Sequence, residues 1–214
     1  FGLGFKSVNI GKTQISGIEV SLSGQGKINN NTTINLLAGY TYMDPISLTP
    51  DEVYESYDRE TIIEVYVVGS DGEYLPGDTV QDVTYNNSSS NPSVLKYRYQ
   101  HLAKIDAELI YKRLSLGSSV RYNDFMKNID AIFTDRTINE GFEPFIEPVI
   151  PGINEARDKF LNGDIIIDAR IGYQVNHMLR CGFVVNNLLN REYMTRPATM
   201  MPPRTFAFQC NFKI

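Results

Sequence analysis

Two stretches of this sequence carry charged residues spaced so that their side chains could act together in binding or acid–base chemistry. They are Asp164, Asp168 and Arg170 in one stretch and Lys104, Asp106 and Glu108 in the other. In a β-strand, residues an even number of positions apart lie on the same face, so each set would share a face. Two carboxylates on one face can form an acid pair or contact a ligand, or they can line a wet wall. We expect the wet wall for both sets.

No other group of residues has the spacing of a catalytic or metal-binding site. The two histidines, His101 and His177, and the two cysteines, Cys181 and Cys210, show no zinc-binding spacing. Both cysteines fall on the apolar side of an alternating pattern, where we expect them to be small residues of an apolar face. We therefore expect no bound metal, no cofactor and no enzymatic activity.

Alternating apolar and polar residues predict eight β-strands. They lie at about 1–9, 14–28, 33–43, 95–112, 114–125, 164–174, 179–186 and 205–214. The last strand shows the pattern most clearly, because Phe206, Phe208 and Phe212 alternate with polar or small residues. A period of two gives each strand one apolar and one wet face, and the short links between strands predict an antiparallel, all-β fold.

The connections between the predicted strands alternate in length. Those after the second, fourth and sixth strands are short turns, and the long ones cover about 47–94, 127–162 and 191–201. This alternation is typical of an outer-membrane barrel, whose periplasmic turns are short and whose external loops are long. The apolar faces would then contact lipid, and the charged faces would line the lumen.

The long connections also have local patterns. Residues 47–94 contain ten acidic residues and one basic residue, Arg59, which suits either a solvated surface or a site for a cation or basic ligand. A hairpin is predicted where residues 62–68 are followed by Asp71-Gly72. A short helix is predicted at 153–161, and a mobile polar segment at 86–91.

Composition excludes several classes of protein. The chain has 214 residues and a net charge of −5, so it lacks the basic surface of a nucleic-acid-binding protein. The sequence contains no run of about 20 apolar residues, so it predicts no membrane-spanning helix. Mean hydropathy is −0.23, which is compatible with a membrane barrel because only alternate residues face lipid. Residue 1 already lies in a strand pattern and no signal peptide precedes it, so we expect a piece of a longer protein.

Two motifs at opposite ends of the chain carry a resemblance to a known family. The run Asn186-Asn187-Leu188-Leu189-Asn190-Arg191-Glu192-Tyr193, followed by Pro203-Arg204 and a final amphipathic strand, resembles the C-terminus of TonB-dependent outer-membrane receptors. The run Asn9-Ile10-Gly11-Lys12-Thr13-Gln14-Ile15-Ser16-Gly17-Ile18-Glu19 is similar to a second stretch of that family, with Thr13 in place of the usual Ala. Leu189 and Ile214 stand where the family commonly has Phe.

The resemblance implies that residues 1–214 form the C-terminal portion of a transmembrane β-barrel. In that family 22 strands surround a plug domain, so this chain would supply about eight C-terminal strands and would lack the plug. Lys104, Asp106, Glu108, Asp168 and Arg170 would face the lumen and the plug.

The implied function is uptake of a scarce ligand across the bacterial outer membrane, energised through TonB. The ligand would be a siderophore, cobalamin, haem or an oligosaccharide. Loop residues that could contact it are Tyr54, Tyr57, Asp58 and Tyr66. The implied partners are the rest of the barrel, the plug, the TonB complex, outer-membrane lipid and a surface lipoprotein, with no nucleic acid.

Two other interpretations fit parts of the pattern. Eight strands can close a small outer-membrane barrel with a structural or adhesive role. A soluble, lipocalin-like barrel would place the apolar residues inside and the polar residues outside, and it gives no reason for the alternating connection lengths.

Overall fold

The computed structural model describes residues 9–56, 66–68, 74–76, 82–134, 137–139, 146–148, 150–196 and 199–213. In chain order its strands are β1 (Thr13–Asn29), β2 (Thr32–Ser47), β3 (Val53–Ser56), β4 (Tyr66–Val68), β5 (Tyr74–Pro76), β6 (Asp82–Thr84), β7 (His101–Tyr111), β8 (Leu114–Asn123), β9 (Thr137–Asn139), β10 (Ile146–Pro148), β11 (Asp164–Gln174), β12 (Leu179–Asn186), β13 (Met194–Arg196), β14 (Thr199–Met200) and β15 (Thr205–Phe212). One α-helix, α1, covers Ile153–Lys159, and a 3₁₀ turn covers Ala131–Phe133.

Seven of these strands form one sheet in the order β1-β2-β7-β8-β11-β12-β15. Each strand lies beside the next long strand of the chain, and the pairs from β2–β7 to β12–β15 are antiparallel. This up-and-down sheet confirms seven of the eight predicted strands. The remaining one, predicted at 1–9, falls almost entirely on residues 1–8, which lie outside the described residues.

The fourth predicted strand was placed too early, because it begins at His101 and not at Leu95. Leu95 is buried, and its N–H donates to the Pro45 carbonyl at 2.8 Å. Tyr97 has a φ of 59°, which ends any extended segment there. Tyr97 and Tyr99 happen to fit the alternating pattern of the strand. Their backbone, however, belongs to the connection that precedes β7.

The apolar face of the sheet is exposed along its whole width. One row of directly paired residues crosses six strands, namely Ile34, Leu109, Leu116, Ile171, Phe183 and Phe208. Their exposed fractions run from 37% to 70%. Soluble proteins rarely expose so large a continuous apolar surface, whereas a strand face in contact with lipid requires one.

Gly17, in the family motif at 9–19, lies where β1 closely approaches β2. A Cβ at this position would overlap the backbone carbonyl of Tyr42. We expect Gly17→Ala to lower the stability of the full-length protein by about 1–3 kcal/mol, because the two strands would have to separate. The measurement is the unfolding temperature in detergent.

The matched control for this variant is Gly39→Ala, on the facing strand. There the nearest atom to an added Cβ is the Val20 carbonyl oxygen at 4.0 Å. This variant should unfold at or above the wild-type temperature, since alanine suits a strand interior better than glycine. Equal unfolding temperatures for the two variants would contradict the close approach at Gly17.

The predicted helix and hairpin of the long connections are both present. Helix α1 confirms the helix predicted at 153–161. Strands β4 and β5 pair from Tyr66–Pro76 to Val68–Tyr74, which confirms the hairpin, although its Asp71-Gly72 turn lies outside the described residues. In the part of the chain that the structure describes, no helix is long and apolar enough to cross a membrane.

The connections have a compact core of their own, which excludes the mobile segment predicted at 86–91. Tyr85 and Asn128 are fully buried, and Ile129 is 1% exposed. Residues 88–90 are tied to residues 129–131 by backbone hydrogen bonds of 2.9 and 3.0 Å. The prediction of mobility from the low-complexity composition is wrong because the polar side chains and backbone groups of this segment can form local hydrogen bonds inside a loop.

Asn128 holds this core together through four hydrogen bonds. Its amide nitrogen donates to the Val94 carbonyl at 2.6 Å and to the Tyr85 hydroxyl at 3.0 Å. Its amide oxygen accepts from the Asn91 N–H at 3.0 Å and the Ser90 hydroxyl at 3.3 Å. Burial raises the pKa of Tyr85, so its hydroxyl stays protonated and donates to the same Val94 carbonyl at 2.9 Å.

Candidate functional site

The polar face of the seven-stranded sheet brings together most of the charged residues that the sequence singled out. Arg170 on β11 reaches across β8 to Asp106 on β7 and donates to both carboxylate oxygens, at 2.7 and 2.8 Å. A two-point contact of this kind fixes the guanidinium more firmly than a single ion pair does. Both side chains are about one-third exposed, so the contribution to stability is modest and the main effect is on geometry.

Gly117 makes the Asp106–Arg170 contact possible. It lies on β8 directly opposite both Glu108 and Arg170. The Arg170 side chain crosses the space above it, because an added Cβ would lie 2.5 Å from Nε and 2.6 Å from Cζ. The absence of a side chain at Gly117 therefore lets an arginine from one strand reach an acid two strands away.

We expect Gly117→Ala to displace Arg170 and break its contact with Asp106, costing about 1–2 kcal/mol of stability. The measurement is the unfolding temperature of the full-length protein in detergent. Gly182→Ala is the matched control, since its nearest neighbour, the Ile171 carbonyl oxygen, would lie 3.6 Å away. If Gly117→Ala proved as stable as Gly182→Ala, the crossing geometry would be wrong.

The carboxylates of β11 are each paired with an arginine and not with one another. Asp168 contacts Arg121 at 3.1 Å, and Asp164 contacts Arg191 at 3.0 Å. Asp168 also accepts a hydrogen bond of 2.8 Å from the backbone N–H of Asn187. Because each carboxylate contacts an arginine and not the other carboxylate, the two lack the geometry of an acid pair and are part of a charged face of the sheet.

A further polar chain runs across the same face. Arg180 on β12 donates to the Ser115 hydroxyl at 2.9 Å and lies 3.8 Å from Glu108. Glu108 accepts from the Asn35 amide at 3.4 Å, and Asn35 in turn accepts from Gln25 at 2.9 Å. Hydrogen bonds and one ion pair thus link side chains from β1 to β12 across the polar face.

Lys104 differs from the other predicted wall residues. It lies on the same face, directly opposite Arg121 on β8, and its side chain is exposed. Two cations face each other at this position, an arrangement that is destabilising unless solvent screens the two charges.

The family motif at 186–193 forms a tight turn where β12 ends. Asn187, at φ 51°, is 4% exposed, and its side-chain oxygen accepts from the Arg191 N–H at 2.8 Å. Its side-chain nitrogen donates to the carbonyls of Arg191 at 2.9 Å and Pro202 at 3.3 Å. Asn190, also in the left-handed region, accepts from the Arg204 N–H at 2.8 Å. The motif therefore joins the end of β12 to the start of β15.

The predicted ligand-contacting residues of the first long connection are only partly described. Tyr54 lies on β3, half-buried, and its hydroxyl is 2.5 Å from that of Ser88. Tyr57 and Asp58 lie outside the described residues, and for Tyr66 only the backbone of β4 is described. Contact of these four residues with a ligand stays a prediction.

Sequence reasoning overlooked the arginines that complete the wall. Arg121, Arg180 and Arg191 were not among the candidate residues, although the first two were on predicted polar faces. A pairing between strands is set by register, and register can be inferred from turn lengths once the two-residue turns at 30–31 and 112–113 are recognised.

Comparison with known proteins identifies the class to which this fold and wall belong. The family model for the β-barrel of TonB-dependent receptor-like proteins matches residues 1–188. The chain belongs to this family of TonB-dependent receptors, which lie in the outer membrane of Gram-negative bacteria. No curated protein matches the chain significantly.

Three solved structures are similar to this chain. The ferric-catecholate import receptor Fiu from E. coli K12 shares 20% identity over 94% of this chain with a TM-score of 0.49. The siderophore receptor PiuA from Acinetobacter baumannii shares 19% over 95% with a TM-score of 0.46. The outer-membrane transporter YddB from Escherichia coli shares 13% over 96% with a TM-score of 0.48.

This chain spans only 21%, 22% and 26% of the length of those three proteins. The prediction of a TonB-dependent receptor is confirmed at the level of the family. Membership in this family excludes the soluble lipocalin-like barrel.

Proposed function

We propose that this chain forms part of the wall and the external loops of a transporter that takes up a scarce ligand, with energy supplied through TonB. The observation that supports this most directly is the division of the sheet into an exposed apolar face and a continuous charged face. Such a sheet suits a barrel with lipid outside and a water-filled or plugged lumen. Family membership supplies the link to uptake.

In this proposal the charged face contacts water and a plug domain that lies outside this chain. Asp106, Glu108, Asp168 and Arg170 form the ordered part of that wall, and Lys104 offers an exposed cation. The external loops, including Tyr54, Tyr57, Asp58 and Tyr66, contact the ligand, which is a siderophore, cobalamin, haem or an oligosaccharide. The remaining partners are the rest of the barrel, the TonB complex, outer-membrane lipid and a surface lipoprotein.

The test is uptake by cells that carry the full-length receptor, in strains with and without TonB. The probes are a radiolabelled ferric catecholate, cobalamin, haem and a malto-oligosaccharide. We expect one probe to accumulate only when both receptor and TonB are present. Receptor-dependent uptake that is equal in the two strains would indicate a passive pore and contradict the coupling. Absence of uptake for every probe would contradict the proposed ligand classes.

A further inference from the structure

Two cysteine thiols face each other across the last two strands of the sheet. Cys181 on β12 and Cys210 on β15 are a directly opposed pair in the antiparallel register. Their sulfur atoms are 3.1 Å apart, and both thiols are free in the structure. Cys210 is exposed and Cys181 half-buried in this chain, and both lie on the apolar face of the sheet near the ends of their strands.

The backbone at this pair already has a geometry that a disulfide accepts. Directly opposed residues of antiparallel strands have Cα atoms about 4.5 or 5.5 Å apart, depending on the type of pair. Disulfides are found at Cα separations of about 4.4–6.8 Å, so either type is compatible. The sulfur atoms need to approach by about 1 Å to reach bonding distance, which small side-chain rotations can supply.

The position of the pair within the sheet also favours oxidation. Cys181 and Cys210 continue a row of paired residues that includes Tyr111, Leu114 and Tyr173. This row borders the short turns at 112–113 and 175–178, and short turns lie on the periplasmic side of outer-membrane barrels. The two thiols therefore lie near the compartment in which bacterial disulfides are formed.

We propose that Cys181 and Cys210 are oxidised to a disulfide that links β12 to β15. The oxidant is a disulfide-bonded periplasmic thiol oxidoreductase. The thiolate of one cysteine attacks a sulfur of the donor disulfide and forms a mixed disulfide, and the donor's other sulfur leaves as a thiolate. The second cysteine then attacks its partner's sulfur and releases the donor as a dithiol, so two electrons and two protons pass to the donor.

This modification rests on the outer-membrane location of the family and not on any ligand. It would fix the register of the last strand, an element that pairs through backbone hydrogen bonds and exposed aromatic contacts. The sequence predicts that the two cysteines are merely small residues of an apolar face, whereas the disulfide would give them a structural role.

The test is peptide mapping of the full-length receptor, alkylated in intact cells before extraction. Trypsin cleaves after Arg180, Arg191, Arg204 and Lys213, so the two cysteines fall in the separate peptides 181–191 and 205–213. We expect most of the material as one linked species, lighter by two hydrogen atoms than the sum of the peptides and separated by reduction. Recovery of both peptides in alkylated form would overturn the proposal.

Two further samples assign the bond and its source. In Cys210→Ser, peptide 181–191 should be recovered alkylated, which shows that Cys181 has no other disulfide partner. In cells that lack the periplasmic oxidoreductase, the linked species should fall several-fold. An undiminished linked species there would overturn the assignment of the oxidant. Because no transport is measured, the result does not depend on whether the uptake experiment succeeds.

Discussion

Replacing Asn187 with alanine is expected to lower the stability of the receptor barrel by about 2–4 kcal/mol. The change removes three side-chain hydrogen bonds at a site that is 4% exposed. Each buried group left unpaired costs about 1–3 kcal/mol. Alanine also tolerates the left-handed backbone at φ 51° less well than asparagine does, which adds about 1 kcal/mol.

Two measurements follow the effect of the Asn187 change. The first is the unfolding temperature of the full-length protein in detergent. The second is trypsin cleavage after Arg191, whose backbone N–H and carbonyl are both held by the Asn187 side chain. We expect a lower unfolding temperature and faster cleavage after Arg191 than in the wild type.

Asn187→Gly is the matched control, because glycine keeps the left-handed backbone but loses the side chain. It should lie between alanine and the wild type, and the difference between the two variants measures the conformational cost. Wild-type stability and protection of Arg191 in Asn187→Ala would show that the motif does not hold the turn.

The second large effect is expected at Asn128, in the core of the long connections. Asn128→Leu keeps a similar volume but leaves the Asn91 N–H and part of the Val94 carbonyl without their partner. We expect the local free energy of opening to fall by about 2–5 kcal/mol, since these groups are buried. The barrel itself should unfold at the wild-type temperature.

Limited proteolysis of the native receptor measures this local opening. Cleavage after Lys96, which is ion-paired with Asp130 at 2.5 Å, should be at least about tenfold faster in Asn128→Leu. Asn154→Leu is the control, because Asn154 is exposed and makes one hydrogen bond of 3.0 Å to the Thr134 carbonyl. Equal cleavage rates in the two variants would contradict a core organised by Asn128.

The alternation of residue types was sufficient to place the membrane-spanning part of the fold. A strand contacts lipid on one face and water on the other, so Phe206, Phe208 and Phe212 reveal their strand directly. The start of β7 was missed because Tyr97 keeps the alternation while its backbone turns. A pattern of side chains carries no information on a single left-handed residue such as this one.

The wall network was harder to predict than the strands. The face of Asp106, Asp168 and Arg170 follows from the period of two, whereas their partners depend on register. Arg170 pairs with Asp106 only because Gly117 is between them on β8. The core around Asn128 was missed for another reason: its polar segment, 86–91, has the composition of a solvated loop and becomes ordered through contacts distant in sequence.

The most direct test is to determine which side of the sheet faces lipid. Lys104 and Ile105 are neighbours on β7 and lie on opposite faces, and Ile105 is 51% exposed. A nitroxide label can be attached at Lys104→Cys or Ile105→Cys in a full-length receptor that has no other cysteine, reconstituted in a bilayer. The spin relaxation of the label then reports its contact with oxygen, which concentrates in lipid, and with a water-soluble nickel complex.

We predict that the label at position 105 responds mainly to oxygen and the label at position 104 mainly to nickel. That result would place the apolar face against lipid and the charged face against water, as a transporter wall requires. The reverse pattern, or equal responses at the two positions, would contradict the account.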